Sequence, residues 1–137
     1  MNKFTQEITV ISDHLDDLNH VNNVQYLHWA QDIAKSHWSV LIKDFKQPYG
    51  IWVVRNHDVN YRLGAFLGDK IEVSTYIDYV RGPISNRVVE FFNKKTNKLV
   101  VKVTTKWCYL KDLNERKIST IPVEIIKLFD PFNLKVK

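Results

Sequence analysis

Between Asn22 and Leu41 the chain carries one uninterrupted helical stripe. Val24, Leu27, Ala30, Ala34, Trp38 and Leu41 recur at spacings of three and four, broadened by Tyr26 and Ile33. No turn signal breaks the pattern before Gln47-Pro48-Tyr49-Gly50, so it predicts a helix of about five or six turns, longer than the usual three. In a chain of 137 residues such a helix is expected at the centre of the fold. After Gly50 the period changes to two. Ile51 to Leu63 reads as a long strand with a bend or bulge near Asn56, and Ile71, Val73, Thr75, Ile77 and Tyr79 alternate with polar neighbours in a half-buried strand. Arg81-Gly82-Pro83 turns the chain into a strand over Ile84 to Phe92, and Lys94-Lys95-Thr96-Asn97-Lys98 turns it again into the alternating run Leu99 to Tyr109. A first strand, Phe4 to Ile11, precedes the helix. Pro122 opens a short second helix through Phe129, which Asp130-Pro131 ends. This order gives an α+β fold, with an antiparallel sheet wrapped around one long central helix. Nothing in the composition divides the chain, so residues 1–137 are expected to form a single domain.

Composition removes several classes of function. The net charge is +5, but the Lys and Arg residues are scattered among acids, with neither a dense basic run nor interleaved aromatic platforms. A nucleic-acid partner is therefore not expected. No apolar run approaches the roughly 20 residues of a membrane span, and the N-terminal segment lacks the apolar stretch of a secretion signal, so a soluble cytoplasmic protein is expected. The single Cys108 falls within a strand, where a small packed side chain is the natural reading, and it gives redox chemistry no support.

Chemistry concentrates in Asp16-Asp17-Leu18-Asn19-His20-Val21-Asn22-Asn23-Val24-Gln25-Tyr26. Asn22 and Gln25 approximate a capping box, which puts the start of the long helix near Asn22 or Asn23. The first amides of a helix lack intrahelical acceptors and sit at the positive end of its dipole, where they favour a developing negative charge. With the Asp16 carboxylate one short loop upstream, a carbonyl between the two would be polarised by the amides and attacked by the carboxylate or by water that it activates. An oxyanion donor is worth roughly 3 kcal/mol and a placed base about 10²- to 10⁴-fold, enough for a thioester, whose thiolate leaves easily.

Asp16, the His20-Val21-Asn22-Asn23 run, Tyr26 and Trp29 together resemble the signature of the hot-dog-fold acyl thioesterases, including the 4-hydroxybenzoyl-coenzyme A thioesterase group and the plant acyl-carrier-protein thioesterases. Tyr61 followed by Gly68-Asp69, and the turn from Arg81 to Ser85, fall where that family has a tyrosine, a glycine-aspartate turn, and a turn leading to a serine. The resemblance implies a hydrolase that cleaves acyl-CoA or acyl-carrier-protein thioesters without a cofactor or metal. It makes Asp16 the general base or nucleophile, places His20, Asn22 and Asn23 in the catalytic group with the helix-head amides as oxyanion donors, and assigns Tyr26, Tyr61, Arg81 and Ser85 to substrate binding. It also implies a homodimer or homotetramer whose sheets join edge to edge, with composite active sites, the acyl chain beside the central helix and the coenzyme A phosphates near basic surface side chains. The chain departs from the family pattern at Asn19 and Gly64, where many relatives have glycine and proline, and at Leu18, where the plant members carry asparagine.

Other readings compete. His14, Asp16, Asp17 and His20 form a loose cluster but match no standard zinc spacing. Gly64 to Lys70 lacks the spacing and the hydroxyl residue of a phosphate loop. Asp17 reads as a solvated loop charge, and His20 as a residue that orients its loop. A non-catalytic acyl-thioester-binding protein of the same fold is the alternative function, followed by an enoyl-thioester hydratase, whose histidine motifs are absent.

Overall fold

Gly82 takes φ 56° between two long strands, and Asn97 takes φ 58° between the next two. Both conformations lie in the left-handed region that tight hairpins require. At the second hairpin the Asn93 side chain also accepts from the Lys95 and Thr96 amides at 2.9 and 3.2 Å. The computed structural model describes residues 3–112, 114–130 and 135–137. Its elements are β1 (Phe4–Thr9), a 3-10 turn (Ser12–His14), α1 (Asn23–Leu41), β2 (Ile51–Tyr61), β3 (Lys70–Arg81), β4 (Ile84–Asn93), β5 (Lys98–Leu110), α2 (Val123–Phe129) and β6 (Lys135–Val136). The sheet order is β1-β3-β4-β5-β2. The hairpins place β3, β4 and β5 side by side, whereas the two outer pairings are long-range. β1 lies antiparallel on β3 from Phe4↔Thr75 to Thr9↔Lys70, and β2 lies antiparallel on β5 from Ile51↔Leu110 to Tyr61↔Val101. The register of β2 shifts between Val54 and Asn56, the bend expected near Asn56. The short β6 runs parallel to β3 at Tyr79 and Val80, beyond the end of β1. Among the described residues the outer edge of β2 has no partner strand.

α1 buries Tyr26, Trp29, Ala30, Ile33, Ala34 and His37. Its first half packs with Val73, Val89, Phe91, Val101 and Val103 of the sheet. Its second half brings Trp38 and Leu41 to a separate cluster of Ile77, Val80, Tyr109, Ile121, Ile125 and Phe129, which α2 closes. Truncating a fully buried side chain such as Phe91 or Ile33 to alanine would cost about 3 kcal/mol or more. The buried face is turned by about one residue from the stripe that the sequence suggests. Val24 is 54% exposed, while Trp29 and His37, outside that stripe, are buried. A period of 3.6 fits either phase, and contact with the sheet selects one.

α1 also ends at Leu41, earlier than the Gln47-Pro48 signal. Ile42 caps it, and Phe45 N–H donates to the Ile42 carbonyl at 3.0 Å, turning Phe45 into the second cluster. The chain then enters β2 through Gly50. A Cβ there would lie 1.9 Å from the Leu110 carbonyl oxygen, so only glycine fits against β5. The 3-10 turn and β6 have no counterpart in the sequence reading, and the Pro131 stop lies outside the described residues. Cys108 is buried on β5. Among the described residues no helix is long and apolar enough to cross a membrane.

Candidate functional site

The loop before α1 is a miniature antiparallel hairpin. Asn22 N–H donates to the His14 carbonyl at 2.9 Å, Leu15 pairs with Val21, and Asp16 N–H donates to the His20 carbonyl at 2.8 Å. Asn19 closes the turn with φ 61°, a left-handed conformation that asparagine tolerates better than most side chains. Asp16 Oδ1 accepts from the Leu18 and His20 amides at 2.9 and 3.2 Å, so the half-buried carboxylate is fixed by its own loop. Among the described residues no donor is bonded to its other oxygen. Val21 N–H donates to the Ala65 carbonyl at 2.9 Å and ties this loop to the segment before β3. His20 is exposed, its ring edge-on to Phe66 at 5.1 Å, and Asp17 is exposed beside it.

At the head of α1 the Asn22 side chain caps the helix, its Oδ1 accepting from Val24 N–H at 2.9 Å. The reciprocal bond of a capping box, from the Gln25 side chain, is not made among the described residues. Because Asn22 N–H is already given to His14 and Val24 N–H to the cap, Asn23 offers the open amide at this helix end. The Asn23 carbonyl accepts from the Tyr61 hydroxyl at 3.1 Å, which pins the end of β2 to the helix head. Tyr26 is buried edge-on against Trp29, Tyr61 and Phe91. Its hydroxyl has no partner among the described residues, and burial, reinforced by Asp69 and Tyr61, pushes its pKa up to about 12. It is a neutral phenol across the physiological range.

Arg81 and Ser85 lie elsewhere. They flank the β3–β4 turn, Arg81 exposed and Ser85 buried opposite Val80. Ser85 lines a cavity of about 230 Å³ beside Ala34 and Trp38 of α1, roughly 20 Å along the helix axis from Asn23 at 1.5 Å per residue. One protomer therefore gathers Asp16, His20, Asn22, Asn23, Tyr26 and Tyr61 at one end of α1 and does not bring Arg81 or Ser85 to them.

The cavity also exposes a residue that sequence reasoning missed. Arg87, only 5% exposed, lines it together with Trp38, Trp52, Trp107 and Phe129. Arg87 Nη1 donates to His37 Nδ1 at 2.9 Å and to Thr75 Oγ1 at 3.0 Å, and the Thr75 hydroxyl donates onward to the Val88 carbonyl at 2.9 Å. A guanidinium has only donors, so His37 Nδ1 must accept and the neutral ring carries its proton on Nε2. Burial, and then the Arg87 charge, hold His37 down at about 4. Burial also lowers Arg87 to about 9, which leaves it cationic at neutral pH. The ion pairs among the described residues are Lys3–Glu90 and Lys94–Glu7, and neither involves Arg87. The available sequence signal was alternation: Ser85, Arg87, Val89 and Phe91 share one face of β4, so a charge sits in an inward register. No set of three or more metal-ligating side chains converges among the described residues.

With this geometry established, similarity to known proteins adds the family. The family model of the acyl-ACP thioesterase N-terminal domain matches residues 1–129. No curated protein matches the sequence. Among solved structures, a 1,4-dihydroxy-2-naphthoyl-CoA thioesterase from Synechocystis superposes with a TM-score of 0.79 at 18% identity, covering 96% of this chain and 98% of that one. A Staphylococcus aureus protein solved in complex with CoA gives 0.80 at 18% identity over 96% and 84% of the two chains. The 12:0-ACP thioesterase from Umbellularia californica gives 0.78 at 18% identity, and the match spans 94% of this chain but half of that one. At these identities the likeness establishes the fold, the hot-dog arrangement of an antiparallel sheet around one long helix.

Proposed function

The chain belongs to the acyl-ACP thioesterase N-terminal domain family, and from that premise we propose that it hydrolyses acyl thioesters of coenzyme A or an acyl carrier protein, with residues 1–137 acting as one catalytic domain. The observation that carries this reading is the helix head: a half-buried Asp16 carboxylate, fixed through one oxygen by its own loop, stands one small hairpin from the open Asn23 amide of α1. Asp16 takes a proton from water as the oxygen attacks the thioester carbon. The Asn23 N–H and the positive helix end stabilise the oxyanion. Collapse breaks the C–S bond, the thiolate takes the proton back from Asp16, and free acid and thiol result. Direct attack by the carboxylate, followed by hydrolysis of the anhydride, uses the same groups. Asn22, with its N–H already bonded, serves as the cap that sets the helix origin, and Tyr61 braces the Asn23 peptide.

The open edge of β2 supports a two-fold dimer, because a long unpaired strand edge is a template for a second copy. Antiparallel pairing of β2 with its symmetry mate would set the Gly50–Trp52 end of one copy beside the Tyr61 end of the other. The cavity of each protomer would then face the helix head of its partner, reuniting Ser85 and Arg81 with Asp16 across the interface.

A panel of acyl-CoA thioesters followed by thiol release tests the reaction. Asp16→Asn is expected to lower kcat/KM by about 10²-fold or more with an unchanged circular dichroism spectrum. Full activity in that variant removes Asp16 from the mechanism. Saturable binding without thiol release from any thioester would make the protein a binding module instead.

A further inference from the structure

The cavity beside the second half of α1 contains a cation with no counter-ion among the described residues. Arg87 is 5% exposed, and its two bonds, to His37 Nδ1 and Thr75 Oγ1, go to neutral acceptors that fix the guanidinium without balancing its charge. His37 is itself held neutral, with Phe4 stacked on its ring at 5.1 Å. Among the described residues no acceptor is bonded to the Nε and Nη2 edge, and no carboxylate pairs with Arg87. The residues lining the cavity include a second cation, Lys35, and no acid. A buried, unpaired charge is costly, and in a chain that keeps one the natural counter-charge comes from outside.

We propose that this cavity receives the far end of the acyl group, and that Arg87 selects acyl groups that end in a carboxylate. Trp38, Trp52, Trp107 and Phe129 form apolar walls suited to a flat ring or short apolar body. At about 230 Å³ the space admits one small substituted ring and not coenzyme A itself. The low dielectric of such walls strengthens an ion pair at the inner end, and a guanidinium edge presents two parallel donors to a carboxylate. Thr75 and His37 are positioning residues: they hold Nη1 and leave the other edge of the fork for the ligand. That the ligand is a thioester rests on the reading above, whereas the preference for a carboxylate stands on the cavity alone.

The test compares two thioesters of nearly equal shape, 4-carboxybenzoyl-CoA and 4-carbamoylbenzoyl-CoA, in the full-length protein. The carboxylate is expected to give a kcat/KM about ten-fold higher or more. In Arg87→Met that preference should fall to about one or below. A ratio near one in the unaltered protein overturns the proposal even if the variant does not fold, and so does a preference that survives in a folded Arg87→Met. A parallel measurement does not depend on turnover: quenching of tryptophan fluorescence by benzoate and by benzamide. Tighter binding of benzoate, lost in Arg87→Met, supports the carboxylate site even if no thioester is hydrolysed, and equal binding of the two probes counts against it. Failure of the hydrolysis reading and failure of this one are thereby separated.

Discussion

Single residues here carry constraints that their neighbours decide. His37 titrates near 4 rather than at its ordinary 6.5 because it is buried and faces Arg87. As the pH falls below about 6.5 the unfolded chain takes the proton first, so the contribution of His37 to stability is complete above that pH and is lost as the pH approaches 4. The loss amounts to up to about 3 kcal/mol. His37→Asn keeps an acceptor toward Arg87 but cannot titrate. Urea unfolding between pH 7 and pH 4.5 should show a shallower decline for this variant than for the unaltered protein, and identical slopes would mean that His37 is not the group responsible. Asn19 is a second case. Its φ of 61° predicts that Asn19→Gly is tolerated and that Asn19→Ala costs about 1 kcal/mol, read as a shift in the urea midpoint.

Elements are set by their ends as much as by their faces. α1 begins where the sequence indicates, because Asn22 caps it, and Asn22→Ala is expected to lower stability by about 1 kcal/mol and to reduce kcat by loosening the helix origin beside Asp16. A drop in stability with unchanged turnover would separate the cap from the site. The other end of α1 was not legible, since no glycine or proline marks Leu41 and the stop comes from Phe45 turning into the second cluster. β2 depends on Gly50, where any Cβ collides with the Leu110 carbonyl. Gly50→Ala should cost about 3 kcal/mol and release the N-terminal end of β2 from β5, which faster hydrogen exchange at Ile51 to Val54 would report.

At the scale of the molecule the decisive feature is an edge. Among the described residues the sheet ends in β1, of 6 residues, on one side and in β2, of 11 residues, on the other, and the long outer side of β2 is the larger open edge. Sedimentation equilibrium is expected to give at least twice the chain mass of 16.2 kDa, and activity per chain should fall on dilution as the oligomer dissociates. A monomer with full activity at every concentration would end the composite-site reading. The sequence by itself determined what depends on near neighbours: the periods of helix and strands, the bulge near Asn56, the turns at Gly82 and Asn97, the helix origin at Asn22, and the grouping of Asp16, His20 and Asn23 within one short stretch. Tertiary structure alone decided which strand lies beside which, which phase of α1 is buried, and that His37 and Thr75, from a helix and a strand, meet the Arg87 that lines a cavity. Local patterns follow from dihedral preferences and side-chain spacing along a few residues. Pairings such as β2 with β5 are fixed by burial shared among segments far apart in sequence, and no local signal encodes them.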